Sequence, residues 1–178
     1  MLEAFYKTHN YLVDHVQVPA RRLLMDEINW NDRLIAIKGG RGVGKTDFLL
    51  NYAKELRTTN PELSKRTLYV NFNDFYFTEH SLVEFAGEFV AAGGHTLLID
   101  QAFKYPNWSR ELSQCYYNYK DLHIVFTASS VMRLVEDNKD LCSIVHPYNL
   151  RGFSFREYLN VTLGLKLPAY SLEEILHN

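Results

Sequence analysis

The sequence predicts an α/β protein with helices on both faces of a mostly parallel five-stranded sheet. Three observations predict it. Short β-rich runs alternate with segments of helical period. Each run is nearly continuous in apolar residues, as strands covered on both faces should be. One strand-to-helix turn reads GGRGVGKT, Gly39 to Thr46, the spacing of a phosphate-binding loop, so the expected fold is a three-layer α/β/α P-loop domain.

The expected strands are Leu34 to Lys38, Thr67 to Phe72, Thr96 to Asp100, His123 to Thr127 and Val145 to Leu150. Between them, Phe48, Leu49, Tyr52, Ala53 and Leu56 make one helical stripe, and Leu82, Phe85, Ala86, Phe89 and Val90 make a second, ended by Gly93 and Gly94. A third helix carries Trp108, Leu112, Cys115, Tyr116 and Tyr119 on one face, read as core. In FSFREY, Ser154 is the expected N-cap with Glu157 three residues on, and Phe153 is placed to staple against Tyr158. YSLEEI repeats the pattern with Ser171, Glu174, Tyr170 and Ile175.

Length and composition fit one folded unit over residues 1–178: 47% of residues are apolar and 22% charged. A helix start so close to Asn178 raises the expectation of an N-terminal part of a longer protein. A short tail helix docked on the core is the alternative. The net charge of −2 gives no bulk support for nucleic-acid binding. No run has a signal-peptide core or approaches the roughly 20 apolar residues of a membrane span. Cys115 and Cys142 lack CxxC spacing and are expected as free thiols, so a cytoplasmic setting is expected.

The loop Gly39, Gly40, Arg41, Gly42, Val43, Gly44, Lys45, Thr46, with Asp47 in the first helical turn, is the nucleotide-binding candidate. Glycines let successive N–H groups face the phosphates, and a helix N-terminus adds its positive dipole end. Lys45 should reach the β and γ phosphates, and the Thr46 hydroxyl should meet magnesium.

In TLLIDQAFKYPNW, Asp100 ends a strand at the sheet edge where ligands of open α/β folds collect. It is the second candidate for Mg2+, or else a cap for the next turn. Gln101 follows, a neutral amide that takes no proton. It either orients water or is a polar turn residue. Thr127, Ser129 and Ser130 end the next strand. They either contact the γ phosphate or attacking water, or cap a helix carrying Val131, Leu134 and Val135.

With these residues quoted, the chain resembles the N-terminal ATP-binding domain of a bacterial and archaeal family of AAA-type ATPases, in which a C-terminal domain of poorly known function follows. GGRGVGKT, LLIDQAFKYPNW, HIVFTASS and GFSFREYL carry the resemblance, over nearly the whole chain. It implies the additional-strand sheet with order 5-1-4-3-2, with the Asp100 strand beside the strand ending in Thr127 and Ser129 as a sensor. Lys45, Asp100, Gln101 and Ser129 are then the catalytic candidates. In the family pattern a Glu stands at Gln101, a Gly at Ala128, and an arginine pair at Ser143 and Ile144.

Such arginines act as fingers on the γ phosphate, usually across a subunit contact, and are worth about 10³ to 10⁵ in rate. Arg133, Arg151 and Arg156 are candidate substitutes, against the reading that Arg156 decorates the first turn of its helix and Arg133 a solvated face. ATP and Mg2+ are the expected cofactors, and a homo-oligomer or a partner protein is an expected partner. The expected function is an ATP-binding switch with weak or absent hydrolysis. An active ATPase moving a C-terminal domain is the alternative, and a small-molecule kinase ranks last for want of an arginine-rich lid. Seven histidines show no metal spacing, so Mg2+ brought by the nucleotide is the expected metal.

Overall fold

Alternating side chains along the strands divide the core into two halves, one on each face of the sheet, and helices cover both. The computed structural model describes residues 1–129, 138–168, 170 and 172–177. In chain order the elements are α1 (Leu2–His15), α2 (Leu24–Glu27), β1 (Leu34–Gly39), α3 (Lys45–Thr59), α4 (Pro61–Lys65), β2 (Thr67–Asn71), α5 (Leu82–Ala91) and β3 (Thr96–Asp100). Then come α6 (Trp108–Asn118), β4 (His123–Ser129), β5 (His146–Asn149), α7 (Phe155–Leu163) and α8 (Leu172–Leu176). Short 3-10 turns lie at Phe75–Thr78, Ala102–Lys104 and Lys139–Leu141.

All pairings are parallel and the strand order is β2-β3-β4-β1-β5, the predicted 5-1-4-3-2 read from the other edge. Leu34, Ala36, Leu97, Ile99, Ile124 and Phe126 face one side and pack with Phe85 and Phe89 of α5 and Leu112 and Cys115 of α6. Ile35, Ile37, Tyr69, Leu98 and Val125 face the other and meet Phe48, Leu49 and Ala53 of α3. The three helical stripes thus point inward as their period requires. Gly93, at φ 85, ends the turn after α5, where Gly94 N–H bonds the Phe89 carbonyl at 2.9 Å.

β5 and the helices α1, α2 and α4 differ from the sequence expectation. β5 is a four-residue edge strand, HPYN, with exposed His146, Pro147 and Asn149. An edge tolerates a proline that a central strand rejects. The unpredicted α1 packs against β2 and α3, with Val13 fully buried. Cys115 is buried and Cys142 exposed, both free. No helix among the described residues is long and apolar enough to cross a membrane.

The box at Ser154 and Glu157 forms in both directions, with bonds of 3.2 and 2.7 Å. Phe153 and Tyr158 remain 46% and 53% exposed, and the Phe153 ring instead meets the Arg22 guanidinium, 4.7 Å from its centroid. Ser130, Val131, Arg133, Leu134, Val135 and Ser171 lie outside the described residues.

Candidate functional site

The C-terminal ends of β1, β3 and β4 lie side by side, with Gly39 opposite Ser129 and Ile99 opposite Phe126. Whatever follows each strand therefore opens onto one edge. There the loop after β1 curls through Gly42 (φ 78) and Gly44 (φ 91), left-handed positions that only glycine takes without strain. Gly44 is the N-cap of α3, so the loop ends at a helix N-terminus.

A cleft of about 700 Å3 lies over this edge, lined by Gly39, Arg41, Gly42, Gly44, Lys45, Thr46, Asp47, Asp100, Gln101, Thr127 and Ser129. The four catalytic candidates and both metal candidates are among them. Gly40 and Val43 face a neighbouring hollow instead, together with Arg151 and Gly152. Phe103 and Lys104 complete the main cleft and had not been singled out as site residues.

Lys45 Nζ donates to the carbonyls of Gly39 and Gly40, 2.8 Å each, and so folds back along the loop. Burial holds its ammonium below the ordinary lysine range, with Asp100 pulling the other way. The Thr46 hydroxyl donates to Asp100 Oδ2 at 2.6 Å, so these two hard oxygen donors lie side by side at the helix start, a set that suits Mg2+.

Asp100 is 2% exposed and its carboxylate is fully engaged. Oδ2 also accepts the Tyr69 hydroxyl at 3.1 Å, while Oδ1 accepts the Thr127 hydroxyl at 2.7 Å and the Gln101 N–H at 3.0 Å. A buried carboxylate needs such donors to remain where it is. Nothing local in the sequence singles out Tyr69: its alternation marks it as core, and only the pairing of β2 with β3 carries it to Asp100.

Gln101 takes φ 56, ψ 39, a left-handed backbone that costs roughly 1–2 kcal/mol outside glycine. Its N–H is held by both Asp100 and Thr127 Oγ1, the latter at 2.8 Å. Gln101 is thereby held among the residues that line the cleft.

The two positions where the resemblance expects arginines diverge. Ser143 is exposed. Ile144 is 7% exposed and packs in the core cluster that includes Leu141 and Val145, a place that an arginine could fill only with a paired charge. Arg156 stands in the first turn of α7 and is not among the residues lining the cleft.

The family model described as an AAA domain matches residues 31–159. Among solved structures, C. elegans PCH-2 is similar at 17% identity over 83% of this chain and 42% of that one, with a TM-score of 0.49. AMPPCP-bound DnaA from Aquifex aeolicus is similar at 15% identity over 93% and 53%, TM-score 0.48. The replication initiator DnaA bound to AMPPCP and single-stranded DNA is similar at 15% identity over 88% and 56%, TM-score 0.50. The chain therefore spans about half the length of these solved structures. Comparison with curated proteins gives no match. With the matched residues running from the approach to β1 into α7, the chain belongs to the AAA domain family.

Proposed function

We propose that this chain binds ATP with Mg2+ in the cleft at the C-terminal edge of the sheet and acts as a nucleotide-dependent switch with weak or absent hydrolysis of its own. One observation carries the proposal: the Thr46 hydroxyl lies 2.6 Å from the Asp100 carboxylate at the N-terminus of α3, beneath a loop whose Lys45 is within reach of any anion seated there. Loop amides and the helix dipole favour a polyphosphate. Lys45 exchanges its two carbonyl contacts for phosphate oxygens. Thr46 and Asp100 would hold Mg2+, which when bound neutralises charge on the phosphates. The solved DnaA structure of the same fold that holds AMPPCP supports an adenine nucleotide as the ligand. The single-stranded DNA in that structure gains no support here from a net charge of −2.

Weak turnover follows from the proton acceptors on hand. Among the lining residues the carboxylates are Asp47 and Asp100, and Asp100 already receives four donors. Gln101 cannot act as a base, and a missing base forfeits roughly 10² to 10⁴ in rate. The alternative, an active ATPase that drives motion, is favoured by the Gln101 amide at the cleft wall, which can still orient water.

The test is calorimetric titration of ATP with Mg2+ into the parent and Lys45→Ala, alongside phosphate release. Binding by the parent that Lys45→Ala weakens by about tenfold or more, a loss of at least roughly 1.4 kcal/mol, supports the site. Equal affinities would refute it, and sustained phosphate release by the parent would replace the switch with the active ATPase.

A further inference from the structure

Arg22 precedes β1 by a dozen positions and has no role in the cleft, yet its side chain is only 11% exposed. Its Nε donates to Glu157 Oε1 at 3.1 Å, Nη1 to the Val43 carbonyl at 3.3 Å, and Nη2 to the carbonyls of Gly152, at 3.2 Å, and Arg151. The Phe153 ring closes over the same guanidinium. One planar group thus touches the phosphate loop, the connection leaving β5 and the first turn of α7.

Burying an arginine costs several kcal/mol unless its donors are matched. A nonpolar side chain of similar volume would fill the space without that penalty, so stability alone does not require a guanidinium here. What the guanidinium adds is geometry. Its N–H groups lie in one rigid fork, so acceptors on separate elements are held at fixed distances from one another. Val43 sits two residues ahead of Lys45, inside the loop that must adjust when a phosphate enters. At the other end, Glu157 accepts Arg22 and the Leu23 N–H on Oε1 while Oε2 accepts the Ser154 N–H. The carboxylate that starts α7 is therefore the one Arg22 holds. The end of β1, which leads into the loop, is also in backbone contact with the β5 exit, through the Leu150 N–H on the Lys38 carbonyl at 2.7 Å.

We infer that Arg22 is a positioning residue that couples the phosphate loop to helix α7 through the Val43 carbonyl on one side and Glu157 on the other, so that nucleotide occupancy sets the placement of α7. The inference rests on the proposal that loop 39–46 binds a nucleotide, and it names the route by which that site reaches the rest of the chain. The arrangement makes α7 the output of the switch. Removing either partner uncouples the ends without touching the cleft lining.

The experiment is hydrogen exchange on the full chain with and without ATP and Mg2+, together with calorimetric ATP affinity, for the parent, Arg22→Gln, Glu157→Gln and the double variant. Glu157→Gln keeps an oxygen for the Ser154 N–H and so preserves the start of α7, which guards against a variant that merely unfolds. In the parent, ATP is expected to raise protection of both 40–44 and 155–163. In Arg22→Gln and Glu157→Gln, ATP still protects 40–44, but the response at 155–163 falls by about fivefold or more, the low end of a typical coupling. The double variant is expected to lose no more than Arg22→Gln alone, because both act on one path.

An undiminished ATP response of 155–163 in Arg22→Gln overturns the inference, even if α7 exchanges faster overall, since that is what a purely structural salt bridge gives. If the parent fails to bind ATP, the nucleotide proposal falls by itself, and the coupling is then judged without ligand. Arg22→Gln must loosen 40–44 and 155–163 together, and loosening confined to 155–163 refutes it.

Discussion

Tyr69 donates its hydroxyl to Asp100 Oδ2 across 3.1 Å, joining Thr46 on the same carboxylate oxygen. Burial, followed by the Asp100 charge, pushes the Tyr69 hydroxyl far above its ordinary range, so it remains a donor at working pH. Tyr69→Phe removes one of four donors while keeping the ring in the core. Expected are a stability loss of about 1 kcal/mol in urea denaturation and a weakening of ATP affinity that is larger with Mg2+ than with a chelator. Equal losses in the two conditions would disconnect Tyr69 from the metal-facing carboxylate.

Gln101→Glu tests why turnover should be weak. The left-handed backbone at this position is held by its N–H on Asp100 and Thr127, contacts that the substitution retains. The new carboxylate stands at the cleft wall and can take a proton from water. Phosphate release is expected to rise by about 10² or more, the low end of what a positioned base contributes. If release stays at the parent level in a variant that still binds ATP, the base is not the limiting absence, and the exposed Ser143 and buried Ile144, where the resemblance expects arginines, become the better explanation.

Local signals made much of this fold readable. The phosphate loop, the glycine stop after α5 and the box at Ser154 and Glu157 are each written in a few consecutive residues, and central strands announce themselves as apolar runs. The edge strand β5, HPYN, carries mostly exposed residues, so the sequence located it at Val145 to Leu150 but overran both of its ends. Helix α1 had a readable stripe in Leu2, Phe5, His9 and Val13, interrupted by enough charge to pass for an irregular start. Tyr69 and Arg22 were not legible: their key partners lie 31 and 135 residues away, and only strand register and the packing of α7 bring them together.

Gly39 and Gly40 separate close packing from loop flexibility. A Cβ at Gly39 would lie 2.7 Å from the Leu150 carbonyl oxygen and 2.8 Å from Val43 Cγ1, whereas one at Gly40 meets nothing within 4 Å. The first clash is with backbone, which cannot rotate away. Gly39→Ala is expected to cost about 1–3 kcal/mol by overpacking, and Gly40→Ala to stay within about 0.5 kcal/mol of the parent, both measured by urea denaturation without nucleotide. Similar stabilities for the two variants would mean that the β1 and β5 ends are not in the close contact described.

His9 sets a limit on stability in mild acid. Its Nδ1 accepts the Tyr69 backbone N–H at 3.0 Å, and a cationic imidazole has no acceptor to offer. Burial, followed by the Arg57 charge, lowers its pKa from the ordinary 6.5 to about 4, with Asp14 partly opposing. Between those values the unfolded chain binds a proton that the folded chain refuses, so this contribution is complete above about pH 6.5 and is lost as pH falls toward 4, on the order of 3 kcal/mol in all. His95 and His123, stacked at 4.5 Å and each lowered chiefly by burial, act in the same direction. His9→Asn keeps an acceptor that does not titrate, and it is expected to narrow the stability gap between about pH 7.5 and about pH 5 in urea denaturation. An unchanged gap would assign the acid sensitivity to the stacked pair or to the carboxylates instead.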